Sequence, residues 1–349
     1  MVPRTITAGS VNSVASQAAA PAADSGPLSR PAPGGGLFAR LRAFGRRHRA
    51  LITLAGSLTT AAALVLVLAG RRHEFETALW SAALWMLALT ALLQIVALVA
   101  RSEAWHLTIE AADGTVDRRV LYRASSMQVL GSLINGQLGV AARIAALRRS
   151  SPADSPQVPT LIAAELPILA VEAMLAALAS FTLVAPLGLP WWLPIAAFAV
   201  IGAASAGLRQ LALRKSREFW SGLAVLRQLD GGSRVIGLVL VAVFSQILRN
   251  WLLLHAVGVD ASFFDAIAVL IAVVTLGQLP VGPSVGAAAA VLILGSQGVA
   301  AAAAAGVLMT VTGTAGGLCF AAWAGADKLW SLRRFARLRR ARARAPRHN

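Results

Sequence analysis

ALWSAALWMLALTALLQIVALVA, residues 78–100, contains no charged side chain. A helix crossing the hydrocarbon layer needs about 20 mostly apolar residues, because each adds only about 1.5 Å. The run is long enough, and similar stretches at 50–70, 159–185, 188–207 and 235–257 repeat the signal. After Asp265 two shorter apolar stretches, 265–279 and 285–299, flank Pro280, Gly282 and Pro283, and a last long one fills 300–325. The reading is all-α: a polytopic transmembrane helix bundle of about eight hydrophobic segments, with one or two re-entrant or broken helices. The short pair is either two thin spans or a re-entrant hairpin.

Composition agrees. Apolar residues make up 57% of the chain, charged residues 13%, and the mean hydropathy is +0.68, against about 25% charged residues in soluble proteins. The formal charge of +17 would suggest nucleic acid in a soluble chain. Here the basic residues collect in tails and short loops, so membrane topology explains them and no nucleic-acid partner is expected. The single cysteine, Cys319, lies in an apolar stretch and reads as a small buried hydrophobe. Residues 1–38, rich in Ala, Ser, Pro and Gly and without the apolar core of a cleavable signal, read as a disordered cytoplasmic tail. The transmembrane domain is placed at 39–330, and a basic cytoplasmic tail at 331–349.

Lys and Arg in short loops set orientation. Arg40, Arg42, Arg46, Arg47 and Arg49, the basic residues of 208–234, and Arg333 to Arg340 fall on one side if both termini are cytoplasmic, as expected of a multi-pass plasma-membrane protein. Arg71 and Arg72 are the exception, offset by Glu74 and Glu76.

Residues 101–158 are less regular. Met127, Leu130, Ile134 and Leu138 recur at helical spacing opposite Gln128, Ser132 and Asn135, while Gly131, Gly136 and Gly139 weaken a long helix. The segment either lies in the interface or dips into the bilayer and returns; the turn-like Asn135 to Gly139 favours the dip.

In these elements the chain resembles the flippase-like transmembrane family represented by the membrane half of lysylphosphatidylglycerol synthases. Arg101 with Trp105 resembles its signature after the second helix, and Asn135, Gly139, Arg143, Leu147, Arg148 and Arg149 resemble the segment that follows. Glu165 matches the first member of a Glu-Arg pair whose second position here is Leu166; LPVGPSVG at 279–286 resembles the family's Pro- and Gly-rich turn, followed by alanines where a Glu is common. The resemblance spans about residues 50–330. It implies movement of a phospholipid or lipid-linked intermediate between leaflets, and not aminoacyl transfer, since the soluble synthase domain has no counterpart in this chain.

The charges inside apolar stretches are the sharpest evidence about individual residues. Glu165 and Glu172, seven apart, would share one face about 10 Å apart along one helix. Counting from helix starts at 159 and 235, Glu172 lies about 20 Å deep and Arg249 about 21 Å deep, so they could pair. An unpaired ion there costs at least about 2.5–3.5 kcal/mol. Gln246 and Asn250 extend a polar patch around Arg249. Two readings stay open: an ion pair that fixes helix register, or the lining of a headgroup path.

Arg123, Arg143 and Arg249 are candidates for phosphate contact, since guanidinium bonds phosphate bidentately; Arg143 could instead be an interfacial anchor. The turn at Pro280, Gly282 and Pro283 is either an anion-binding backbone or a tight connection. His106 and His255 read as interfacial polar residues, and most tryptophans as membrane-interface belts. Gly313, Gly316 and Gly317 read as close-packing faces. No nucleophile elbow, P-loop or dinucleotide fingerprint occurs, and no cofactor or metal is expected. The expected partners are membrane lipids, anionic or phosphate-bearing, with a separate lipid-modifying enzyme and a second copy of the chain also compatible. The expected activity is lipid translocation. The alternatives are a membrane transferase using Glu165 or Glu172 as base, or an accessory subunit.

Overall fold

The computed structural model describes residues 49–112, 114–132, 136–150, 157–214, 229–277 and 285–344, all in the unit Arg49–Asn349. Residues 1–38, Asn135 and the turn containing Pro280, Gly282 and Pro283 lie outside these residues. The fold is all-α, with no strand among the described residues.

Four helical stretches are long and apolar enough to cross a membrane: Leu84–Glu110, Val158–Leu187, Gly232–Ala256 and Val299–Ala326. Helix α1 (Arg49–Leu68) leads through a 3-10 turn at Ala69–Arg71 into α2 (Arg72–Ser81), where Arg72 Nε meets Glu76 Oε1 at 2.7 Å. The apolar run 78–100 is not one helix. Backbone at Ala82 and Ala83 turns extended, ψ 112° and 134°, and α3 (Leu84–Glu110) starts there and continues ten residues past the apolar stretch. The Ser81 hydroxyl, bonded to the carbonyl of Ala256 at 3.1 Å, secures the break.

Two 15-residue helices follow, α4 (Arg118–Ser132) and α5 (Gly136–Ser150). They pack on each other as a hairpin. A Cβ on Gly131 would come within 2.9 Å of Gly139 Cα, and one on Gly139 within 2.8 Å of the Gln128 carbonyl. These glycines permit a backbone crossing where the sequence suggested a broken helix. Met127, Leu130 and Leu138 stay exposed beside it.

Helices α6 (Val158–Ala163) and α7 (Leu166–Ala179) are one stretch interrupted at Ala164 and Glu165. Pro167 has no N–H for the carbonyl four residues earlier, and its ring crowds that carbonyl, so the helix opens just before it. A 3-10 turn (Ser180–Leu183) and α8 (Val184–Leu187) end at Gly188, whose φ of 60° suits glycine. Next come α9 (Trp192–Arg214) and α10 (Leu229–Ala256). A capping box between Ser262 and Asp265 starts α11 (Phe263–Leu276), and α12 (Val285–Leu294), a 3-10 turn at Gly295–Gln297 and α13 (Val299–Arg344) complete the order.

Helices α3 and α10 form the centre and run antiparallel. Ser81 meets Ala256 before α3 begins, Gln94 meets Arg249, Ala97 and Ala100 cluster with Ala242, and Trp105 and Ile109 share a core with Val235 and Val239. Each is followed by a hairpin of short helices, α4/α5 and α11/α12, so the hairpins enter from opposite ends. At about 1.5 Å per residue these helices are about 15 to 22 Å long, short of the ~30 Å hydrocarbon thickness.

Helix α13 meets both hairpins near their turns. A Cβ on Gly306 would lie 2.3 Å from Ala287 Cα, and one on Gly317 would lie 2.7 Å from Val129 Cγ1. Tyr122 stacks edge-on against Phe320 and Trp323 farther along. Cys319, expected to be buried, is exposed.

The α12–α13 crossing leaves no room for a methyl group. Gly306→Ala should therefore destabilise the protein by about 1–3 kcal/mol, whereas Gly202→Ala on α9, with nothing within 4 Å, should be neutral or gain up to about 1 kcal/mol of helix propensity. Thermal unfolding of the detergent-solubilised protein would measure both; equal midpoints for the two variants would contradict so close a crossing.

Candidate functional site: a polar stripe on α3

Gln94, Arg101 and Trp105 lie seven and eleven residues apart, so at about 100° per residue they point within about 20° of one direction. Along α3 they make one stripe, and each receives a charged side chain from a different helix.

At Trp105, which is fully buried, the Arg143 guanidinium of α5 sits over the indole with Cζ 3.6 Å from the ring centroid. Arg143 is 1% exposed and pairs with Glu165, 8% exposed, in the gap between α6 and α7. The proline break therefore has a second effect: it delivers a carboxylate to a buried arginine. Trp105, Leu121, Leu147, Leu161 and Ile168 enclose the pair in apolar surface, which excludes water and strengthens both the ion pair and the cation–π contact.

At Arg101, Nη1 meets Glu172 Oε1 of α7 at 2.7 Å. The side chains are 35% and 24% exposed, so this pair is the open edge of the cluster. Arg101 and Glu172 are also near enough to Arg143 to act on it electrostatically. Two arginines and two glutamates thus form a balanced quartet between α3, α5 and α7. Glu103, on another side of α3, accepts a hydrogen bond from the Tyr122 hydroxyl at 2.5 Å and has Arg118 at 3.9 Å; these contacts tie α4 to α3.

At Gln94 the arrangement differs. Arg249 Nη1 donates to Gln94 Oε1, and the same nitrogen rests against Gly313 of α13, where a Cβ would lie 3.1 Å from it. Arg249 is 9% exposed, its buried Nε has no hydrogen-bond partner, and no carboxylate pairs with it among the described residues.

The pairing of Glu172 with Arg249 that their depths allowed does not form. Depth along the axis says nothing about which way a helix is turned: α7 presents Glu172 to Arg101, while antiparallel α10 sets Arg249 opposite Gln94, two turns away on α3. Nor do Glu165 and Glu172 share one continuous helix face, since the Pro167 break separates them. Of the other candidates, Arg123 is half-buried on α4, Gln246 is half-buried and Asn250 is buried on α10, and Asn135, Pro280, Gly282 and Pro283 lie outside the described residues. His106 is buried, with Nε2 3.1 Å from the Val116 carbonyl; His255 is exposed. No group of three or more His, Cys, Asp or Glu able to hold a metal occurs among the described residues.

Sequence reading missed Gln94 and Gly313 as site residues and gave Arg101 and Trp105 no place on the path. The 94, 101, 105 spacing inside an apolar helix was the available signal. Gly313, expected only to pack, makes room for the Arg249 guanidinium.

Removing one partner of a buried ion pair leaves the other charge uncompensated, at about 3–5 kcal/mol. Arg143→Met or Glu165→Gln alone should lower the unfolding midpoint strongly, and the double variant should recover most of the loss; additive losses in this double-mutant cycle would disprove the coupling. Searches against family models, curated proteins and solved structures give no match for the chain.

Proposed function

We propose that the protein moves a phospholipid or lipid-linked intermediate between the leaflets of the plasma membrane, along a path beside the polar stripe of α3. In this reading α1, α3, the α6–α8 stretch, α9, α10 and α13 cross the bilayer, α4/α5 and α11/α12 re-enter from opposite faces, and an even number of crossings leaves both termini on the basic, cytoplasmic side.

The observation that carries the proposal is the pair of opposed hairpins, each too short to cross, meeting α13 between Gly306 and Gly317 at the level of Arg249 and Gln94. Broken elements of this kind are tolerated at membrane depth only where protein or a wetted cavity surrounds them, and transporters place substrate sites there. Met127, Leu130, Leu138 and Val140, 37–51% exposed on α4/α5, support insertion, since lipid is the favourable surrounding for such a face. The half-open Arg101–Glu172 pair offers a headgroup entering from that end a cation and an anion whose bond it can exchange. The transferase reading is weaker: Glu165 and Glu172 are each held by an arginine, and either would have to leave its partner to act as a base.

Reconstitution into vesicles containing headgroup-labelled phosphatidylglycerol tests the proposal. Native protein should exchange label between leaflets, and Glu172→Ala should slow exchange several-fold while the protein stays folded. No exchange with the native chain, or an unchanged rate in the variant, would refute it.

A further inference from the structure

Of the three arginines in or against the α3 stripe, two have a carboxylate: Arg101 has Glu172 and Arg143 has Glu165. Arg249 has the neutral amide oxygen of Gln94, Gly313 close to the same nitrogen and a buried Nε with no hydrogen-bond partner. A guanidinium so far from water needs a counter-charge. No carboxylate among the described residues supplies one, which leaves a place for the charge of a ligand.

We infer that Arg249 with Gln94 forms an anion site for a phosphate group, the anionic group that phospholipids carry. This rests on the lipid-translocation reading for the source of the phosphate, but not for the existence of the site. Three features select the chemistry. The guanidinium fork matches two oxygens of one oxyanion. Gln94 accepts from one nitrogen with its carbonyl and so fixes the plane of the fork, while its amide NH2 is a donor for the same ligand. Ala97, Ala100 and Ala242 form a buried apolar cluster next along the α3–α10 seam, so an anion carried on an apolar body is favoured over a fully hydrated one, and buried Asn250 adds a polar side chain beside Arg249. Gly313 and Gly316 leave α13 without side chains here; a Cβ at Gly316 would fall 2.6 Å from the Ala91 carbonyl and 2.9 Å from Gln94 Cβ. The site is thus walled by backbone, and its polar groups come from α3 and α10.

The sharpest test supplies the missing charge from within. Gln94→Glu places a carboxylate where the amide oxygen sits, and Arg249→Gln removes the cation. The purified full chain in detergent would be titrated with phosphatidylglycerol, with diacylglycerol as the phosphate-free control and inorganic phosphate as the soluble source, and the thermal midpoint followed. Native protein should be stabilised by phosphatidylglycerol and not by diacylglycerol, and both variants should need about tenfold more lipid or fail to respond. Gln94→Glu should also unfold at a higher temperature than native without lipid, since its ion pair is internal; that increase shows that a lost response is not a folding defect. A shift with inorganic phosphate that also depends on Arg249 supports the same site filled from solution. An equal phosphatidylglycerol response in native and both variants, or no response in native to either phosphate source, overturns the inference. Leaflet exchange on the same proteins separates the two claims: Arg249-dependent binding without exchange keeps the site and removes transport, and exchange with Arg249-independent binding does the reverse.

Discussion

A charge taken out of water must find a partner nearby, and this requirement organises the bundle more than its apolar packing does. Hydrophobic helices slide and rotate against one another at little cost in lipid, because tails and side chains are equally apolar. Arg143 on Glu165 and Arg101 on Glu172 remove that freedom: each pair forms at one rotation and one height. Both arrangements converge on α3, which therefore sets the register of α5 and α7, while Gln94 sets that of α10.

Close approach is the second constraint. Helix α13 passes α12 at Gly306, α10 at Gly313, α3 at Gly316 and α4 at Gly317, each with a Cβ-free surface. In the absence of a hydrophobic driving force, dispersion contact between backbones holds such crossings. Polar pairs choose the register, and small residues let the helices come near enough to reach it.

Much of this was legible in the sequence. Apolar runs located the four long helices, because length and composition alone decide whether a segment can cross, but for α3 the run began six residues early and stopped ten residues short. The two interrupted regions were visible in their Gly and Pro content. What escaped was rotational. Counting residues gave Glu172 and Arg249 similar depths, yet azimuth decides contact, and azimuth is set by partners remote in sequence. The break at Pro167 was readable from proline chemistry, but its role in presenting Glu165 to Arg143 needed α5 in place. The separation of α2 from α3 within an unbroken apolar run left no local signal beyond Ser81, whose hydroxyl bond reaches across 175 positions. Glycines at 306, 313, 316 and 317 read alike in the sequence; only their neighbours distinguish one that admits a guanidinium from one that admits a backbone.

Helix α13 is continuous over 46 residues, about 69 Å at 1.5 Å per residue, more than twice the hydrocarbon thickness of ~30 Å. Its first half lies against both hairpins, and the remainder carries the arginine-rich stretch out to Arg344. A rod gripped at one end is a lever. A tilt of a few degrees about Gly306 becomes a displacement of several ångströms at its far end, so movement of either hairpin would reach the arginine-rich end of the helix as a swing of positive charge.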